Sequence, residues 1–190
     1  MLIFLPSVQD VLEGVQIFES KYFKKAYPIY GSQNPQTQDD YLSKGQIFFC
    51  TSIAETSLTF PGLKYVLDSR ISKNMMYLDN EKLNKLISFP SSKNSAKQRR
   101  GRVGRDGPGE YYYIEQEEKE GGAINFDLTE LEKSDLTNVI YELLLSESSM
   151  KRVRKILFNL IDQSLEEKIN NSIKKLQEIE VLENDGKSKT

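Results

Sequence analysis

The 190-residue chain has no histidine and one cysteine, Cys50. Without histidine there is no Ser-His-Asp or Cys-His nucleophile system and no Cys/His zinc site, and a lone thiol permits no internal disulfide. Cys50 lies in the apolar run Gln46-Ile47-Phe48-Phe49-Cys50, which suits an inert core position and a reducing compartment. No apolar run approaches the roughly 20 residues that span a bilayer. Met1-Leu2-Ile3-Phe4-Leu5 is too short for a signal-peptide core and is soon followed by Pro6 and Asp10, so an intracellular, membrane-free protein is expected. The same five residues read as a buried strand, and a chain that opens in mid-strand reads as a piece of something longer.

Charge of one sign is also lacking, since the formal net is −2. That average hides a split. Residues 1–110 hold 15 Lys/Arg against 11 Asp/Glu, net +4, whereas 111–190 hold 11 against 17, net −6. Lys93, Lys97, Arg99, Arg100, Arg102 and Arg105 fall within thirteen positions that contain no acid. A local patch governs phosphate binding more than the overall charge does.

What is present is an α/β pattern. Strands are expected near 2–5, 26–30, 46–50, 64–68 and 110–114, with helices over 7–20, 35–42 and 94–103. Short connections between alternating strands and helices specify an open parallel sheet with helices on both faces. Ligands of such sheets sit at the carboxyl ends of the strands, which points to the loops starting at Thr51 and Asp68. Residues 70–92 read as an inserted hairpin. The solvated run from Glu115 to Gly122 marks a boundary, giving domains 1–122 and 123–190. Beyond it, Leu136 to Leu144, Val153 to Leu160 and Leu165 to Leu176 give three apolar stripes at helical spacing, a small helical domain.

Two segments carry the chemistry. In Gln98-Arg99-Arg100-Gly101-Arg102-Val103-Gly104-Arg105, Arg102 and Arg105 lie three apart and on a helix would share a face. Paired guanidinium forks suit a polyphosphate, and a basic surface helix has no reason to contain two glycines. Gln98 can both donate and accept, so it can orient a water beside a phosphate. The second segment, Thr51 to Thr59, places small hydroxyls and backbone amides after a strand, a cradle for phosphates or a sugar-phosphate backbone.

These segments, with Leu2 to Ser7, Tyr30-Gly31-Ser32, Tyr65 to Ser69 and Pro90 to Ala96, occur in the order of DEAH-box superfamily 2 RNA helicases, and the chain resembles that family's second RecA-like lobe (motifs IV, IVa, V and VI). The wording of motif VI is also similar to viral relatives. The acidic helical part resembles the winged-helix domain that follows the lobe. The resemblance implies an NTP hydrolase in which Arg105 and Arg102 meet the phosphates of ATP and Gln98 positions the attacking water. It implies that Arg99, Ser57, Gly101, Gly104 and the adenine-stacking Tyr41 line the nucleotide site. Thr51, Ser52, Ser32 and Lys73, at the hairpin base, would contact RNA, with DNA as the alternative track; no residue of this chain would ligate a metal. Ser52 stands where the family usually has Asn, and Pro61 where it commonly has Asp.

The chain contains neither a Walker A loop nor a DEAH box; Gly186-Lys187-Ser188 follows a helix, and Val181 occupies the earlier glycine position. ATP and Mg²⁺ would thus be held mainly by a first RecA-like lobe of the same full-length protein, and this chain alone is expected to be inactive. The rival reading is a non-catalytic nucleic-acid or protein-binding module that kept the fold and lost the motor.

Overall fold

A computed structural model describes residues 1–105, 107–114, 127–147, 149–160 and 166–182, with the side chains of Phe158 and Leu160 excepted. The acidic loop at 115–122, the expected domain boundary, Leu165 and the tail at 186–188 lie outside the described residues. The chain forms two compact units, one of Met1–Asn74 with Ile87–Asp127, the other of Met75–Leu86 with Leu128–Thr190.

The first unit is a RecA-like α/β layer. β1 (Leu2–Phe4), β2 (Tyr27–Ile29), β3 (Phe48–Cys50), β4 (Tyr65–Asp68) and β7 (Glu110–Tyr113) form a five-stranded sheet in the order β2-β3-β1-β4-β7. Every pairing is parallel, with Phe4 opposite Cys50 on one side and Asp68 on the other. Phe48, Phe49 and Cys50 are all buried, the signature of a central strand covered on both faces.

On one face, Val11, Val15 and Phe18 of α1 (Val8–Tyr22) pack on Phe49, Ile3 and Leu5. Ser7 caps α1, its hydroxyl accepting from the Asp10 amide at 3.3 Å. Gly14 is needed there, because a Cβ would lie 2.9 Å from the Phe49 ring. The other face buries Leu2, Phe4, Phe48, Cys50 and Val66 beneath Tyr41 and Leu42 of α2 (Pro35–Lys44) and the 51–60 segment. α2 starts at Pro35 behind an Asn34 cap. α3 (Lys93–Arg100) is capped by Ser92, whose hydroxyl accepts from the Ser95 amide at 3.0 Å.

β5 (Ile71–Leu78) and β6 (Leu83–Pro90) form the expected hairpin, turning at 79–82 with Lys82 in the left-handed region. Its base belongs to the first unit and its tip, Met75–Leu86, to the second. The tip is grouped there with α4 (Glu130–Lys133), α5 (Thr137–Glu147), α6 (Met150–Leu160) and α7 (Glu166–Glu178). The core of this unit is Leu136, Ile140, Leu144, Val153, Leu157, Ile169, Ile173, Leu176 and Leu182. Lys175 of α7 binds the tip, donating to the Tyr77 hydroxyl at 2.9 Å and Asp79 at 3.0 Å. No helix among the described residues is long and apolar enough to cross a membrane.

Candidate nucleotide and nucleic-acid interface

The parallel sheet delivers the carboxyl ends of β2 and β3 side by side, and with them Ser32, Thr51 and Ser52. The Thr51 amide donates to the Ile29 carbonyl at 3.1 Å, tying the start of the second loop to the end of β2. Ser52 and Ser32 are exposed and Thr51 is half-buried. Ser52–Glu55 then form one 3-10 turn, which folds Ala54 and Glu55 inward and leaves Thr56 and Ser57 exposed. These five hydroxyl residues thus border one end of the sheet, all but Thr51 exposed.

Beneath that loop lies a buried ionic cluster. Arg99, only 3% exposed, donates through Nε to Glu55 at 2.8 Å and through Nη1 to Asp68 at 2.7 Å. Its guanidinium also sits 5.2 Å from the centroid of the Phe4 ring. Asp68 ends β4 and accepts further bonds from the Arg70 amide at 2.8 Å and the Tyr111 hydroxyl at 2.7 Å. Burial opposes the Arg99 charge, but Asp68 and then Glu55 outweigh it and hold the guanidinium above its usual range. Burial, followed by the bond to Asp68, pushes the Tyr111 phenol up to about 12. A carboxylate satisfied from three directions and an arginine satisfied from two make a fixed cross-brace between β4, the 51–59 loop and α3.

The arginine repeat departs from the expected geometry. α3 ends at Arg100, not at 103, so Arg102 and Arg105 do not share a helical face. Gly101 closes the helix and Gly104 adopts φ +85°, a left-handed turn that separates the two arginines. Arg102 turns inward, is 7% exposed, and donates to the carbonyls of Leu58 (2.8 Å) and Glu55. Its Nε is buried with no partner among the described residues. Burial, then the neighbouring charge of Arg105, pulls the Arg102 guanidinium below its ordinary range. Arg105 points to solvent and has no acidic partner among the described residues. Gln98 is half-buried.

Three other expected residues have partners within the lobe. Tyr41 packs on Tyr27, ring centroids 5.1 Å apart, and belongs to the core edge. Arg99 is sealed in the cluster. Lys73 pairs with Asp10 at 2.9 Å, and Asp10 also accepts from the Ser7 hydroxyl. Sequence reasoning missed Glu55 and Asp68 as partners of Arg99, and Tyr111 as a further donor to Asp68. The available signal was Asp68 itself, a carboxylate ending an apolar strand, which requires a buried cation.

With that geometry in hand, the first unit is the kind of RecA-like lobe in which a strand-end loop and an arginine-rich turn are braced together. The description "Helicase conserved C-terminal domain" matches residues 1–107. The chain therefore belongs to the helicase C-terminal domain family, and its relatives place it with the DEAH-box superfamily 2 helicases.

It is 30% identical over 142 residues to the pre-mRNA-splicing factor ATP-dependent RNA helicase DEAH10 of Arabidopsis thaliana, covering 75% of this chain and 19% of that protein. The probable ATP-dependent RNA helicase DHX34 of Homo sapiens is 30% identical over 152 residues, covering 75% and 13%. Among solved structures, the E. coli DExH-box NTPase HrpB superposes with a TM-score of 0.80 at 26% identity, covering 98% of this chain and 24% of that one. The chain thus spans under a quarter of the length of these relatives.

Proposed function

We propose that this lobe is the C-terminal half of the motor of an ATP-dependent RNA helicase and that Arg105 is its arginine finger. The observation that supports this most directly is that Arg105, unlike Arg99 and Arg102, presents its guanidinium to solvent without an acidic partner among the described residues. A positive group held at the rim of a strand-end loop can complete a triphosphate site from the far side of a cleft. Gln98, in the last turn of α3, orients the attacking water in this reading. The residues present fit one side of such a site; the remaining phosphate contacts and Mg²⁺ ligands belong to a first RecA-like lobe.

Arg102 acts by position. Its bonds to the Glu55 and Leu58 carbonyls clasp the 51–59 loop to the turn that carries Arg105. A phosphate would reach Arg102 only by replacing those carbonyls. Ser57, on the clasped loop, stands between the two ligands, while Thr51, Ser52 and Ser32 hold the RNA backbone. Movement of the loop on RNA is thereby transmitted to the finger, and the grip, being on phosphates, is independent of sequence. The helical unit acts as the winged-helix domain that follows the lobe.

The test is Arg105→Ala in the intact two-lobe protein. ATPase turnover should fall by about 10³-fold, the scale of arginine fingers, with RNA affinity little changed. Unaltered turnover removes Arg105 from the role; absence of any ATPase in the parent protein favours the non-catalytic module.

A further inference from the structure

A second basic feature lies on the other side of α3, away from the buried Arg99. Lys93, Lys97 and Arg100 recur at one-turn intervals along the exposed surface of α3. With Arg70, Tyr111 and Tyr113 they line a concavity of about 740 Å³ to which no acid contributes among the described residues. None of Lys93, Lys97, Arg100 or Arg70 has an ion-pair partner among those residues. Tyr113 is 55% exposed. Its ring stacks on Tyr111 at 5.8 Å, and the Arg70 guanidinium lies 5.3 Å from its centroid.

Uncompensated like charges on one short helix repel one another, so this arrangement costs stability unless an anion occupies it. The charges form a row. At 1.5 Å per residue, Lys93 to Lys97 is about 6 Å along the axis and Lys93 to Arg100 about 10 Å. A regularly charged polymer matches such a row, and an exposed tyrosine beside an arginine offers a stacking platform for a base. An acidic peptide would satisfy the charges but leave the ring without a partner.

We infer that this concavity is a second contact site for single-stranded nucleic acid, gripping phosphates through Lys93, Lys97 and Arg100 and stacking a base at Tyr113. It lies at the β7 edge of the sheet, and β1 and β4 separate β7 from the β3 loop. Three strand spacings put it about 14 Å from Thr51 and Ser52. Val103 and Gly104 also line the concavity, so it adjoins Arg105, although Arg105 is not among its cations. Its consequence is a second hold on a strand, beyond the reach of the Thr51 loop.

The test measures anisotropy of a labelled oligouridylate titrated with the full 190-residue chain across a salt series. Lys97→Glu combined with Arg100→Glu should weaken binding at least tenfold, and removal of two phosphate contacts should flatten the log-log salt slope by about 1.4. Lys97→Gln with Arg100→Gln, which adds no repulsion, should show the same flattening. Tyr113→Ala should cost about fivefold or more and Tyr113→Phe almost nothing, since the face of the ring is what is used. Thr51→Ala with Ser52→Ala should leave the contribution of the α3 cations intact. Unchanged affinity and slope in both α3 double variants would overturn the inference. So would displacement of the RNA by a polyglutamate peptide of equal charge.

Discussion

At the scale of single residues, the decisive fact is that three arginines of one short motif have three different fates. Arg99 is locked to two carboxylates, Arg102 clasps two carbonyls, and Arg105 is left at the surface. The first is a brace whose loss is costly from either side, because removing one partner of a buried pair strands the other charge. Asp68→Asn should therefore lower stability by about 3 kcal/mol or more, read as a shift of the urea midpoint at unchanged slope. Tyr111→Phe, which removes one hydrogen bond to the same carboxylate, should cost about 1 kcal/mol. Equal, small effects would mean that the cluster is not braced as described. The motif and its concentration of positive charge were legible from residue types alone. The inward turn of Arg102 was not, because it depends on carbonyls of Glu55 and Leu58, which lie more than forty positions away and carry no side-chain signature.

At the scale of elements, periodicity and caps placed the parallel strands, α1, α2 and the hairpin within a few residues of where they lie. The strand at 46–50 was readable because it is apolar on both faces. Two differences have physical causes. α3 is shorter than its pattern suggested, since Gly101 ends it and Gly104 takes a left-handed conformation. α4 is too brief to show a period, although its capping box, Thr129 with Glu132, stands in the sequence. The hairpin is anchored at both ends by lysines. Lys73 pairs with Asp10 at the base, and Lys175 holds Tyr77 and Asp79 at the tip. Although burial disfavours its charge, the bonds to Tyr77 and Asp79 raise the Lys175 pKa overall. Lys175→Met should release the tip, seen as faster amide exchange over residues 75–82 with α5 and α6 protected as before. Unchanged exchange at the tip would show that the lysine does not hold it.

At the scale of the whole molecule, no residue among those described is shared between the helical core around Ile140 and Leu157 and the clusters on the two faces of the sheet. Separate cores allow separate unfolding. Leu144→Ala, which empties part of the helical core, should cost that unit about 2–5 kcal/mol, while alkylation of Cys50 proceeds at its wild-type rate. A matching acceleration at Cys50 would mean that both units open together. The choice of reporter follows from the interior of the sheet. Cys50 is 0% exposed, its thiol sits 3.4 Å from the Ile3 carbonyl, and burial pushes its pKa well above the ordinary value. A thiol that is neutral and walled in reacts only in the instants when β3 departs from its neighbours. Since the chain carries no other sulfhydryl, a single maleimide added to an unmodified sample becomes a stopwatch for the lobe, timing each excursion of this interior strand without any dye, tag or substitution.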